Sequence, residues 1–264
     1  MIVASLQPAY LPWLGFFEQI HRADVFILYD DIPYNNRTWR NKNHIKTAAG
    51  KFRLTVPVVH KHGQLIKDAC IDNINSKHWK KTHWGAISSA YGCAPHFKEH
   101  APFFNKVYTT QWDNLVELDT KTIKYICSQL GLTTPIYLSS ELGIEKDFLK
   151  HHKGGDTKNA RILFMMKFLS GDIFYEGWAG KDYIDTEYLL RNGVSVEFQN
   201  YIHYEYKQLF GPFIPYLSAI DLLFNCGSKS LEILTCNSPV AAKKNGAGEK
   251  WSVNTLVPKP VPAQ

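Results

Sequence analysis

The sequence predicts an α/β fold: a Rossmann-like, three-layer core around a parallel sheet, with a small side β-hairpin or sheet and a helical insertion. Three observations carry that prediction. Residues 2 to 6 and 25 to 29 are short apolar runs without polar alternation, as strands buried on both faces require. Helical spacing from Leu14 to His21 separates them, and strand, helix, strand is the unit of a parallel pair. The same alternation resumes after Pro135, whereas residues 77 to 131 carry only helical spacing.

Taken in order, IVASL is a buried strand and the QPAYLPW that follows is a loop, because its two prolines cannot continue a strand or a helix. Leu14 and Phe17, with Ile20 or His21, line one side of a short helix before the strand VFILY. Asp30 and Asp31 close that strand. The polar, basic, amide-rich run from Asn35 to Lys46 is expected to be a functional loop or hairpin. Phe52 to Val59 is β-rich, but Pro57 confines it to an edge or a strand end, and Leu65 to Ile71 could pair beside it.

Two or three helices follow, ending at Gly131. Then come a strand at IYLS, a helix capped by Asp156 or Thr157 and running to Leu169, a strand at IFYE, a helix from Tyr183 to Leu190 and a strand at VSVEF. Helical stretches at 217–224 and 230–235 complete a single α/β domain over 1–241, and the Lys-, Gly- and Pro-rich residues 242–264 form a tail.

The composition, 45% hydrophobic and 20% charged over 264 residues, excludes intrinsic disorder as the main state. No apolar run approaches the roughly 18 to 20 residues of a membrane span. Without a basic segment and cleavage site after Met1, a cytoplasmic location is expected. A net charge of +6 suits an anionic ligand but is too dispersed to announce a nucleic-acid binder. Five cysteines without a C-x-x-C pair indicate neither a disulfide framework nor a zinc knuckle. His60-Lys61-His62 and His151-His152 lack a third ligand at metal spacing, so no metal is expected.

The first βα loop is where open α/β sheets bind ligands. Here it offers the Gln7 amide and the flat faces of Tyr10 and Trp13, suited to a sugar or base; the alternative is a rigid loop with buried rings. Asp30 and Asp31 could hold a metal, act as base or bond a ribose, and equally could start a turn. Arg37, Arg40, Lys42 and Lys46, interleaved with Trp39 and Asn41, suit a diphosphate. His151 to Asp156 is either a phosphate loop or a Gly-rich turn with an N-cap. Ser218, Asp221 and Asn225, spaced by three and four, form a polar stripe on an otherwise apolar helix that either braces a loop or lines a site. His203 is the best candidate acid or base near it, since an unperturbed imidazole titrates close to neutrality. Trp13-Leu14-Gly15-Phe16 stands where nucleotidylyltransferases carry H-x-G-H, and both histidines are missing.

QPAYLPWLGFF, the acidic end of the second strand, RTWRNKNHIK, LTVPV, AGKDYI and HYEYKQLFGPFIPYLSAIDLLFNCG together resemble the WbqC-like family of bacteria, from about Ile2 to Gly227. Two departures stand out: Tyr204 follows His203 where the family often has Pro, and Tyr175-Glu176-Gly177-Trp178 replaces a Leu-Ser-Gly version. The resemblance implies a part in surface-polysaccharide (O-antigen, lipopolysaccharide or capsule) biosynthesis on nucleotide-linked sugars. The expected activity is that of a transferase adding an acyl or aminoacyl group, such as glycyl, to the amine of a nucleotide-linked deoxyamino sugar. The expected partners are that sugar and a small acyl or aminoacyl donor, with charged tRNA as one form of it; no cofactor is expected. Gln7, Tyr10 and Trp13 would hold base or sugar, Arg37, Arg40 and Lys46 would pair with the diphosphate, and Asp30, Trp39 and Asn41 are further substrate contacts. Lys181, from the AGKDYI motif, joins the substrate contacts, and Tyr206, Gln208, Ser218, Asp221 and Asn225 shape the pocket. Asp31 or His203 would take the amine proton. Two alternatives remain open: a nucleotide-sugar or RNA binding protein without catalysis, and an ATP-dependent adenylating ligase.

Overall fold

The computed structural model describes residues 1–236 apart from 36, 60, 153, 155 and 156. The predicted tail, the Asp156 cap and His60 therefore lie outside the described residues.

Five strands form one parallel sheet: β1 (Ile2–Leu6), β2 (Val25–Leu28), β5 (Ile136–Leu138), β6 (Ile173–Glu176) and β7 (Ser195–Phe198), in the order β5-β2-β1-β6-β7. All four pairings are parallel, with Val3 beside Val25 and Ile2 beside Ile173. β2 is buried at every position, which explains its unbroken apolar sequence. Two more strands, β3 (Lys42–Thr47) and β4 (Gly50–Thr55), form a separate antiparallel hairpin.

Side chains on the two faces of the sheet enter different cores. One face, with Ala4, Phe26, Leu28 and Tyr175, packs against α1 (Leu14–Arg22) and onward against the insertion, α2 (Trp79–Tyr91), α3 (Phe97–Thr109) and α4 (Leu115–Gln129). The other face carries Val3, Val25, Ile27, Tyr29 and Phe174. It meets α6 (Ile144–His151), which follows the single turn α5 (Ser139–Leu142), together with α7 (Thr157–Leu169) and α8 (Thr186–Arg191). α9 (Ala219–Cys226) and α10 (Ser230–Thr235) return to the first face. Each fully buried Phe or Leu in these layers contributes about 1.5–3 kcal/mol of transfer free energy. No helix of the described residues is long and apolar enough to cross a membrane.

Three elements differ from expectation. The partner of β4 is 42–47 rather than 65–71, because Asn43 and Ile45 turn inward and commit that run to the core. Residues 65–71 instead make isolated bridges, Pro33 to Leu65 and Val58 to Ile71, around a short 3-10 turn. The helix expected at Tyr183 starts at Thr186, since Asp185 accepts the Tyr188 N–H as N-cap. Ser218 caps α9 in the same way, so that helix begins at Ala219.

Candidate functional site

Strand order reverses between β1 and β6, and at such a reversal the loops leaving the two carboxyl ends part to opposite faces and open a crevice. Here the chain leaves β1 toward α1 on one face and β6 toward Ile184 and Leu189 on the other. The rim is therefore built from residues 7–13, from 177–181, and from the segment after β7.

The β1 loop is held from beneath. Arg40 donates through Nη1 to the carbonyls of Gln7 (2.8 Å) and Pro8 (3.4 Å), and the Asn43 amide donates to the Leu11 carbonyl at 2.6 Å. Leu11 adopts φ 44°, a strained conformation for a branched residue. Tyr10 is wholly buried and bonds to Tyr108 and His83, so it braces the loop and offers no face to a ligand. Burial lowers the Arg40 guanidinium to about 10, opposed by the charge of Asp119, and it remains cationic at neutral pH. Asp119 on α4 is itself fully buried, and neither of its oxygens has a hydrogen-bond partner among the described residues. Asn41 donates to the Val56 carbonyl and belongs to the scaffold.

Three carboxylates mark the strand ends. Asp30 accepts from Ser139 Oγ, Ser140 N and Ser140 Oγ at 3.1, 3.0 and 2.7 Å. Asp31 shares the same Ser139 hydroxyl, whose single hydrogen serves one carboxylate at a time, and burial raises its proton affinity. Beside this pair a groove of about 530 Å³ runs between the ends of β2 and β5 and helix α4, lined by Asp30, Lys67, Trp112, Thr120, Lys121 and Ser140 among others. Glu176, the last residue of β6, is the third carboxylate. It is buried, accepts the Gly177 N–H at 2.8 Å, and is pushed up to about 7 by burial. Gly180 presses on it: a Cβ there would stand 2.4 Å from Glu176 Cγ. Glu176 was not among the predicted site residues, although an acid ending an apolar strand is the same signal that singled out Asp30 and Asp31. Lys181 sits 3.4 Å from the ring centroid of the exposed Trp178.

Above α1 an aromatic cluster joins the β1 loop to the segment after β7. The Trp13 ring lies 5.6 Å from Tyr201, 5.4 Å from His203 and 5.7 Å from Tyr216, and His203 lies 4.3 Å from Tyr216. Gln199 anchors this segment by donating to the Gly15 carbonyl at 2.8 Å. Burial, with Lys51 nearby, lowers His203 to about 4, so its imidazole is neutral at pH 7. Its Nε2 is buried with no hydrogen-bond partner among the described residues.

The remaining predicted residues divide between bracing and surface. Lys46 is buried and donates to Gln208 Oε1, Gly211 O and Pro212 O at 3.1, 3.3 and 2.6 Å. Asp221 accepts from Tyr91, Tyr206 and the Gln208 amide at 2.8, 2.7 and 2.8 Å. Asn225 donates to the Asp221 carbonyl, and Ser218 is spent as a cap. Of the two roles open to the polar stripe, these bonds show it bracing the 206–215 loop. Arg37 and Trp39 are exposed on the loop before β3. Among the described residues there is no group of three His, Cys, Asp or Glu placed to hold a metal ion.

A parallel sheet in this order, with a polar and aromatic rim at its reversal point, defines a Rossmann-like α/β protein. The chain belongs to the WbqC-like protein family, whose sequence profile matches residues 7–233. It is 34% identical over 236 residues to the uncharacterized protein Rv1507c of Mycobacterium tuberculosis (strain ATCC 25618 / H37Rv), a match covering 88% of this chain and 96% of that protein. No solved structure matches the chain.

Proposed function

We propose that this chain is a cytoplasmic transferase that binds a nucleotide-linked deoxyamino sugar at the carboxyl edge of its sheet and acylates the sugar amine, in surface-polysaccharide biosynthesis. The observation that carries this reading is the rim at the strand-order reversal, where flat rings adjoin proton-accepting groups. Trp13 and Gln7 flank the base or sugar, and Arg37 and Lys181 are two exposed cations that can meet the diphosphate.

Acyl transfer to an amine needs a free lone pair on nitrogen. The nitrogen forms a bond to the acyl carbon, the donor's ester or thioester bond breaks, the amine proton passes to the protein, and the leaving oxygen or sulfur is protonated in turn. Asp31, Glu176 and His203 are the acceptors along this edge. His203 can take a hydrogen bond from the amine through Nε2 because it is neutral at pH 7. Glu176, titrating near 7, is the group best matched to exchanging a proton at neutral pH.

The test is a thermal-shift screen of dTDP-, UDP-, GDP- and CDP-linked sugars, with and without an amine, followed by mass spectrometry of the sugar after incubation with acyl donors. A shift selective for one amino sugar and a mass gain equal to the acyl group support the reading. Shifts confined to ATP, with release of AMP or pyrophosphate, would replace it with the ligase; sugar binding without any mass gain would leave a noncatalytic binder.

A further inference from the structure

The β3–β4 hairpin presents a basic, aromatic face beside the rim. In its antiparallel register His44 stands opposite Arg53 and Lys46 opposite Lys51, so these side chains share one face. Lys46 is drawn inward by Gln208 and the 211–212 carbonyls. Lys51 and Arg53 stay exposed, and neither is in an ion pair among the described residues. Trp39, 52% exposed, stands edge-on to the His44 ring at 5.3 Å.

This face is continuous with the aromatic cluster. The Ser218 N–H donates to the His44 carbonyl at 2.9 Å, which places Tyr216, 58% exposed, beside the hairpin. The charges acting on His44 are those of Lys51 and Arg53, and the charge acting on His203 is that of Lys51, all positive. Unpaired cations interleaved with exposed rings complement a single-stranded nucleic acid, whose phosphates meet the charges while its bases stack on the rings. An anionic membrane is a poorer fit, because Trp39, on the loop before β3, and Tyr216, on the loop before α9, are flat rings suited to stacking.

We propose that the face formed by Trp39, His44, Lys51, Arg53 and Tyr216 docks the single-stranded end of an RNA, and that this RNA carries the acyl group as an aminoacyl ester. The second clause rests on the transfer proposed above. In that step the sugar nitrogen bonds to the aminoacyl carbon and the ester bond to the terminal ribose oxygen breaks. The protein takes the amine proton and returns a proton to the ribose oxygen, which leaves as a hydroxyl. No further co-reactant is needed.

The probe is a 5′-labelled single-stranded RNA of twelve nucleotides, titrated with the full chain by fluorescence anisotropy between 50 and 200 mM salt. With two or three phosphates neutralised, the log–log salt slope is expected to be about −1.4 to −2. The double variant Lys51→Glu, Arg53→Glu should weaken binding by at least about tenfold and flatten that slope, whereas Trp39→Ala should weaken it by about tenfold with the slope unchanged. Absence of binding at about 100 µM protein, binding indifferent to all three substitutions, or binding only to phosphatidylserine vesicles would overturn the docking face. The thermal shift of the unaltered chain with nucleotide sugars reports on the sugar site separately. RNA binding as expected, with no acyl transfer from an aminoacylated RNA to a bound amino sugar, would keep the docking face and remove the donor assignment.

Discussion

The indole of Trp13 lies across Gly15 in the space where a side chain would start: a Cβ on Gly15 would stand 2.1 Å from Trp13 Cη2 and 2.4 Å from Cζ2. The helix start is thereby roofed by the ring that also holds Tyr201, His203 and Tyr216 in place. Because those three rings pin the indole, it cannot swing aside at little cost. Gly15→Ala should therefore destabilise the protein by about 1–3 kcal/mol in urea unfolding, as overpacking does. It should also reduce any thermal shift with a nucleotide sugar. A variant as stable as the parent would show that the indole is free to move.

Lys46→Met tests the bracing role of the buried lysine. The substitution keeps the stem and removes three hydrogen bonds made by a charged donor, leaving Gln208 Oε1 and two loop carbonyls without it. The expected cost is about 2–4 kcal/mol. Limited proteolysis should show new cleavage between 206 and 215, and unchanged resistance there would assign Lys46 to a ligand instead.

Asp119→Asn and Arg40→Met should differ in size. Burial raises the proton affinity of Asp119, opposed by the charge of Arg40, and neither carboxyl oxygen has a hydrogen-bond partner among the described residues. Asp119→Asn should cost less than about 1 kcal/mol, as an isosteric change without a lost partner does. Arg40→Met, which frees the Gln7 and Pro8 carbonyls, should cost about 2 kcal/mol and loosen the β1 loop, seen as faster amide exchange at residues 7–12.

The pH dependence of stability should combine two contributions of opposite sign over nearly the same window. Glu176 titrates near 7 folded against 4.5 ordinarily, so between these values the folded state binds the proton more tightly. Its contribution is present below pH 4.5 and is lost as pH rises toward 7, by at most about 3 kcal/mol. His203 and His83 are lowered to about 4 from 6.5, so the unfolded chain takes the proton first and stability falls as pH drops from 6.5 toward 4. These windows overlap, so the terms partly cancel: in unfolding series from pH 4 to 8, Glu176→Gln should steepen the rise of stability between about pH 4.5 and 6.5, and His203→Gln should make it shallower. Parallel curves for Glu176→Gln and parent would refute the Glu176 assignment.

The central strands were legible because burial on both faces removes polar alternation, and the helix stop at Gly131 acts locally enough to show in the sequence. The order of the sheet was not, since nothing in IFYE says that it pairs with IVASL rather than with IYL. Tyr10 illustrates a second limit: a tyrosine in a polar loop reads the same whether its ring meets a ligand or, as here, meets Tyr108 and His83 from a helical insertion far away in sequence. The Ser218, Asp221 and Asn225 stripe was found by its spacing. Its role depended on partners such as Tyr91, which comes from another helix.

The middle position of β1 has a consequence for synthesis. Its partner on one side, β2, follows within about one helix, but Ile2 pairs on the other side with Ile173. At roughly 5–20 residues per second, the ribosome needs roughly 10–35 seconds to deliver that second partner. For that interval the nascent chain exposes an apolar strand edge, a template for wrong pairing. A chaperone that covers nascent chains would matter more for this protein than its modest size suggests.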